Sequence, residues 1–598
     1  MRRIIIILCC FLCGYAVAQT MHLEDILDDI YSQLAETGEA PMEDLQETLT
    51  EIAAHPINLN HTSPEELQRL HFLNDEQIDA ILLYQYKHPF QSIYELQLIP
   101  ELQDYDIRNL LPFVRVGTAD EERKLYFREV FHYAKHELTL RADARNCENL
   151  FPDPYYGKLR YRFNYNNRVQ FGLTACRPTS APWKEMLYGG FVQLSDIGHF
   201  KSIVAGDYQA SFGQGLVVGS PFHFGKSSYI RSTATQPEGL RKYTSVSNDY
   251  QAFRGVGATA RIRWADISAF YSVQRQRDST WHHTMGINIT GRWKQLKIGI
   301  TALENLYSDT TLMPQAVVGL NVRYNIGRVD IWGELATTQG EHWGIGTIVG
   351  ARYVPVSGVN LLAIYRYYSE YYNNRYAYSL SEHSRLNDEM GGYVGAEINR
   401  LRKWRFSVYA DGFRGGYDTW GQADFLPSDV YGMNWRIRAR RQSGRDTYAF
   451  RYQFTCELSQ WRFRTQLDAN MVKSETYKGK TDAFDAAHGW GHGVSVYQDV
   501  EYRLERVPIV LQMRVQAFDA RLWYNRIYAY ENDVLYAYSF PNVYGAGGRL
   551  YVNARYRIND VVAIYLRVSE TVYSPKWAAV HDKKGTRTDV HALLRVRL

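Results

Sequence analysis

One pattern constrains this chain more than any other: from residue 130 to 598, apolar and polar side chains alternate along one segment after another. In 158–166, Leu159, Tyr161, Phe163 and Tyr165 share one face, and Lys158, Arg160, Arg162 and Asn164 share the other. In 433–440, Met433, Trp435, Ile437 and Ala439 oppose Asn434, Arg436, Arg438 and Arg440. The final segment sets Val590, Ala592, Leu594, Val596 and Leu598 against His591, Arg595 and Arg597. A period of two belongs to a β-strand, whose successive side chains point to opposite faces. Roughly 24 such strands of about ten residues fit here, separated by turn residues.

So many strands must either stack as sheets or close on themselves. The composition favours closure within a membrane. Aromatics make up 14% of the 598 residues, and 47 are tyrosines. Tyr and Trp suit an interface where one end of the ring is dry and the other wet, as in the girdles of membrane barrels. Backbone groups in lipid need partners, which a closed sheet supplies. The expected fold is an all-β transmembrane antiparallel barrel, even in strand number, with its apolar faces toward outer-membrane lipid.

The start of the chain fits export. Arg2 and Arg3 precede an apolar run over 4–12, and Ala16-Val17-Ala18 follows. A basic start, a short apolar core and small residues at the cleavage site predict a signal peptide over 1–18. Beyond it lie only Cys147, Cys176 and Cys456, which are too few and too scattered for a disulfide framework or a zinc site.

Charge divides what remains. Residues 19–118 hold 4 Lys/Arg against 19 Asp/Glu, a net of −15. The whole chain is +4, so the part from 119 onward is strongly basic. Such a break predicts two bodies with different electrostatic roles. The acidic one reads as helical. Ser63-Pro64-Glu65-Glu66 carries a cap, a first-turn proline and a capping-box acid. Ser92 and Glu95 form a second capping box, and Asn74 and Asp104 cap two further helices. Helices are expected over 64–70, 75–87, 93–99 and 105–111.

The order Ile57-Asn58-Leu59-Asn60, Glu65-Glu66-Leu67, Tyr84-x-Tyr86-Lys87 and Pro89-Phe90-x-Ser92-Ile93-x-Glu95-Leu96 resembles the tandem helix-hairpin-helix domain of ComEA-type DNA-uptake proteins, over about 57–116. In that family, Gly-hydrophobic-Gly hairpins present backbone N–H groups to a DNA phosphate. The corresponding hairpins here are Phe72-Leu73-Asn74 and Glu101-Leu102-Gln103, without those glycines. DNA affinity rests largely on Lys and Arg, so the acidity of this body disfavours nucleic acid. The alternative is a compact periplasmic module that docks on a protein partner. The whole arrangement, an exported helix-hairpin-helix module followed by a Tyr-rich barrel, resembles a family of outer-membrane proteins of Bacteroidetes-type bacteria.

Within the barrel, Arg160, Arg162, Arg436, Arg438, Arg440, Arg555, Arg557, Arg567, Arg595 and Arg597 fall on polar faces. Either they line a positive lumen, or many pair with inward Asp and Glu. Residues 209–250 resist a strand reading, and a long structureless stretch is usually functional. An inward fold or plug is expected there, with Phe212, Gly213, Gly215, Phe224 and Lys226 as its candidate residues. No catalytic, metal or cofactor constellation stands out, so the chain is not read as an enzyme. The expected function is a channel, or a transport or assembly component, with DNA uptake as the alternative.

Overall fold

The computed structural model describes residues 48–598, apart from 51, 54–55, 71, 74, 103, 118–126, 147–154, 180, 221–225, 227–229, 231–232, 234–235, 247–251, 276–279, 310–312, 357, 384, 402, 429, 475–483, 486–489, 505, 538–539 and 582–584. The predicted signal peptide and the capping residue Asn74 lie outside the described residues.

Helices stand near the four expected places: Pro64–Gln68, Asp75–Lys87, Ile93–Leu98 and Asp104–Leu110. The third is a 3₁₀ helix. Its capping box forms as the sequence implies, with the Glu95 carboxylate accepting the Ser92 N–H at 2.8 Å. The Ser63 hydroxyl accepts the Glu66 N–H at 3.3 Å. A short parallel pair, Ile57–Asn58 with Val114–Arg115, ties the two ends of this body together. Asn60 adds a clamp. Its Oδ1 accepts the Phe90 N–H at 2.7 Å, and its Nδ2 donates to the carbonyls of Phe90 and Gly117 at 2.8 Å each. Leu67, Leu70, Ile78, Ile81, Leu96, Leu110 and Phe113 form the core.

From Lys135–Asn146 to Thr586–Arg597, 24 antiparallel strands close into a barrel. Two shorter strands, Gly239–Lys242 and Phe484–Asp485, pair beside it. The first and last strands form the seam, with Leu138 opposite Val596 and Leu140 opposite Leu594. Leu598 and His136 exchange backbone hydrogen bonds at 2.8 and 2.9 Å to finish it. At the end that carries the seam's two termini, hairpins turn tightly through left-handed residues such as Asn167, Arg263, Lys294 and Gly327. The opposite end carries the long connections 212–252, 369–388 and 521–544.

The alternation sorts as expected. Leu159 is 44% exposed on the outer face while the adjacent Arg160 is 3% exposed on the inner one. Leu335 and Glu334 repeat this at 54% and 4%. Ile289, Ile300, Val349, Val394 and Val408 extend the outer apolar surface, which no neighbouring element covers. A continuous apolar face of this size needs lipid. Aromatics border it. Trp264 and Trp293 pack at 5.0 Å near the tight turns, and Tyr324, Tyr353, Trp404 and Trp461 continue that rim. Among the described residues no helix is long and apolar enough to cross a membrane; the strands do so.

Candidate functional site in the barrel lumen

Three connections from the loop end turn inward and fill much of the interior. The first contains Phe212 and residues 216–218, all buried. The Glu334 side chain projects inward from Val329–Gln339 and accepts the backbone N–H groups of Gln214 (2.5 Å), Leu216 and Val217 (3.4 Å each). Those amides would otherwise be stranded away from water, at a cost of about 1–3 kcal/mol each. Gly215 has φ +79°, and a Cβ there would lie 2.2 Å from the Tyr378 carbonyl, so only glycine fits.

That carbonyl belongs to the second inward segment, 369–388. The Tyr378 N–H donates to the Gly215 carbonyl at 2.9 Å, and the Gly219 N–H donates to that of Tyr376 at 2.9 Å. Tyr372 and Asn374 donate to the Leu216 carbonyl at 2.7 and 2.8 Å. Tyr208, Tyr368, Tyr393, Tyr409 and Trp420 from the wall pack against both segments as one apolar core inside the barrel. Many of the tyrosines therefore point inward, away from the interface girdles.

The third segment, 521–544, is held mainly by charge. Glu531 accepts from Arg549 at 2.7 and 2.9 Å and also ion-pairs with Arg567. Asp533 meets Arg567 at 3.1 Å and His591 at 2.8 Å. The Tyr536 hydroxyl donates to Glu137 at 2.7 Å. Tyr530, next to Glu531, is buried in the core of the N-terminal helical body, and Phe540 packs against that core. One inward segment thus touches both the barrel wall and the helices.

Arg160 faces Glu137 at 3.8 Å and stacks on Tyr536. Arg438 pairs with Asp418 at 2.7 Å, Arg440 with Glu382 at 2.8 Å, and Arg597 with Glu137 at 2.6 Å. Arg567 joins the Glu531–Asp533 cluster. Arg162 donates to the Thr244 carbonyl at 3.1 Å, and Arg436 donates to Gln422 at 2.6 Å. Arg595 lies over the Tyr565 ring, Arg555 is half-buried, and Arg557 is exposed at the rim. Much of the inner arginine is therefore matched by carboxylates, the second of the two sequence readings. Phe212 stacks on Phe270 at 6.4 Å, and Gly213 lies against Glu334 and Asn321. Lys226 ion-pairs with Glu382 and Asp411; Phe224 lies outside the described residues. In the helical hairpins, Phe72, Leu73 and Leu102 are core residues and Glu101 is half-buried; Asn74 and Gln103 lie outside the described residues.

Between the inward segments and the strands Tyr431–Gln442, Arg445–Leu458 and Trp461–Ser474 a cavity of about 400 Å³ remains. Arg436, Arg438, Arg440, Arg445, Arg451 and Arg526 line it together with Trp420 and Tyr528. Among the described residues no group of metal-ligating side chains gathers.

No protein-family model matches the chain, and no curated protein does. Solved structures do resemble it. The siderophore receptor PirA from Pseudomonas aeruginosa is 8% identical, with 78% of this chain and 80% of that one covered and a TM-score of 0.40. A complex of FpvAI with pyocin S2 is 8% identical over 77% of this chain and 73% of that one, TM-score 0.38. The outer membrane protein opdK from Pseudomonas aeruginosa is 9% identical over 56% of this chain and 97% of that one, TM-score 0.30. The chain's own closed sheet and lipid-facing surface decide the class. The fold points to the bacterial outer membrane. In this barrel the interior is packed and ion-paired.

Proposed function

We propose that this barrel is an outer-membrane transport protein held shut at rest, and that its passage opens when the segment 521–544 leaves the lumen. The helical body then stands on the periplasmic side, with the tight turns, and the long connections face outward. One observation carries the reading: Tyr530 sits in the helical core while the adjacent Glu531 is clamped to the wall by Arg549. A partner that pulls on the helical body would therefore act directly on one of the three segments that fill the lumen. A barrel this wide is open to water unless something fills it, and here the filling is tied to the wall by ion pairs that can be exchanged.

The helical body is best read as a docking module for a protein. DNA uptake finds no comparable support, because Phe72, Leu73 and Leu102 are consumed by the core.

The test is conductance in planar bilayers. The intact chain should conduct poorly, and a variant with 521–544 replaced by a short Gly-Ser turn should conduct in large, steady steps. If that variant folds as a barrel and conducts no better than the intact chain, the proposal fails.

A further inference from the structure

The cavity left between the inward segments carries a more specific reading. It deepens the transport proposal by naming a ligand for the same lumen. Seven cationic side chains line it, from Lys226 to Arg526, against a single lining carboxylate, Asp468. Asp418, Glu382 and Asp411 stand behind them as partners of Arg438, Arg440 and Lys226, yet cations remain in excess. Arg445 lies over the Tyr524 ring at 4.4 Å, and Arg526 lies over Trp523 at 4.5 Å. Among the described residues neither makes an ion pair. Arg526 donates from Nε to the Tyr528 hydroxyl at 2.6 Å and from Nη1 to the Trp523 carbonyl at 2.8 Å, neutral partners that leave its charge, like that of Arg445, for an oxyanion.

The remaining walls are flat and aromatic. On the barrel side Tyr409 and Trp420 stack at 5.6 Å with their planes 12° apart. On the inward segment Tyr528 and Phe540 stack at 5.3 Å, 20° apart. A volume of about 400 Å³ suits a small molecule and excludes a folded protein or a nucleic acid duplex. Excess guanidinium with planar apolar walls selects a ring that carries negative charge.

We propose that this cavity binds a ring-bearing organic anion with two or more oxyanion groups, carboxylate or phosphate. The ligand lies between wall and inward segment, so its arrival bears on how tightly segment 521–544 is held.

The experiment uses the full-length protein purified in detergent, with binding read by titration calorimetry and by tryptophan fluorescence. The probes are benzene-1,3,5-tricarboxylate, inositol 1,4,5-trisphosphate and uncharged inositol. At least one anionic ring should bind saturably and inositol should not; the preference between the two anions assigns the oxyanion. Replacing both Arg445→Ser and Arg526→Ser should weaken binding roughly tenfold or more, as loss of two charge-assisted contacts would. A heat-dependent shift in gel mobility checks that the variant barrel is folded. Three results overturn the proposal: no saturable binding of either anion, equal binding of inositol, or equal affinity in the folded double variant. Binding in detergent requires no passage, so failure here is separable from failure of the conductance test.

Discussion

Glu531 accepts two hydrogen bonds from Arg549, at 2.7 and 2.9 Å, and no part of its carboxylate reaches solvent. The pair joins a segment that enters from the loop end to the inner face of a membrane-spanning strand. Glu531→Gln keeps the shape but removes the charge, leaving Arg549 and Arg567 buried beside a neutral amide. Breaking one side of a buried pair costs about 3–5 kcal/mol. The segment should detach before the barrel melts, because the strand ladders do not depend on it. The expected result is larger conductance steps, with strand content by circular dichroism unchanged.

The same cluster sets a pH dependence. Burial opposes the charge on Glu531, but Arg549 and Arg567 outweigh it and hold the carboxyl below its ordinary range. Asp533 is likewise buried and held low, by Arg567 and His591. A carboxyl depressed in the folded state stabilises that state above the unfolded pKa, about 4 for these side chains, and the contribution fades as pH falls through the folded value. Conductance should therefore stay low and flat from neutral pH down to about 5, then rise in more acid solution. In the double variant Glu531→Gln, Asp533→Asn that acid step should vanish. A step that persists in the double variant would assign it to other groups.

Much of this architecture is legible in residue order. The faces of the strands follow from alternation alone, as Leu159 and Arg160 show, because a one-residue slip would expose every arginine to lipid. The capping serines 63 and 92 marked their helices correctly. The filling of the lumen was much less legible. Lack of a period marks 209–250, although Gln209–Ser211 ends a strand and Gly239–Lys242 forms a short one; 369–388 and 521–544 lack a period as well. Which arginine meets which carboxylate is beyond any local pattern, since Arg597 and Glu137 are 460 positions apart.

Arg366 is the most completely enclosed cation of the second inward segment's surroundings. Its guanidinium donates to both oxygens of Asp411 at 2.8 and 3.0 Å and to Glu389 at 2.6 Å. Glu389 in turn accepts the backbone N–H groups of Glu382 and His383, where 369–388 returns to the wall. Arg366→Ala leaves two buried carboxylates without their principal partner, at a cost of about 3–5 kcal/mol. The unfolding temperature followed by gel mobility should fall clearly. Arg366→Lys should recover only part of it, because one ammonium cannot reproduce a fork that spans two acids.

Tyr530 separates docking from clamping. Its ring is buried among the helices, whereas its neighbour Glu531 holds the wall. Tyr530→Ala removes a large ring from the helical core, and truncating a buried aromatic costs about 3–5 kcal/mol. The helical body should lose its hold on the inward segment while the Glu531–Arg549 pair stays in place. Limited proteolysis should then release fragments from residues 48–117 faster than from the parent chain, while bilayer conductance in the absence of any partner stays low. Glu531→Gln should show the reverse, high conductance without faster release. If both substitutions open the barrel equally, docking and clamping are one interaction, and the helical body does not act as a separate handle on the lumen.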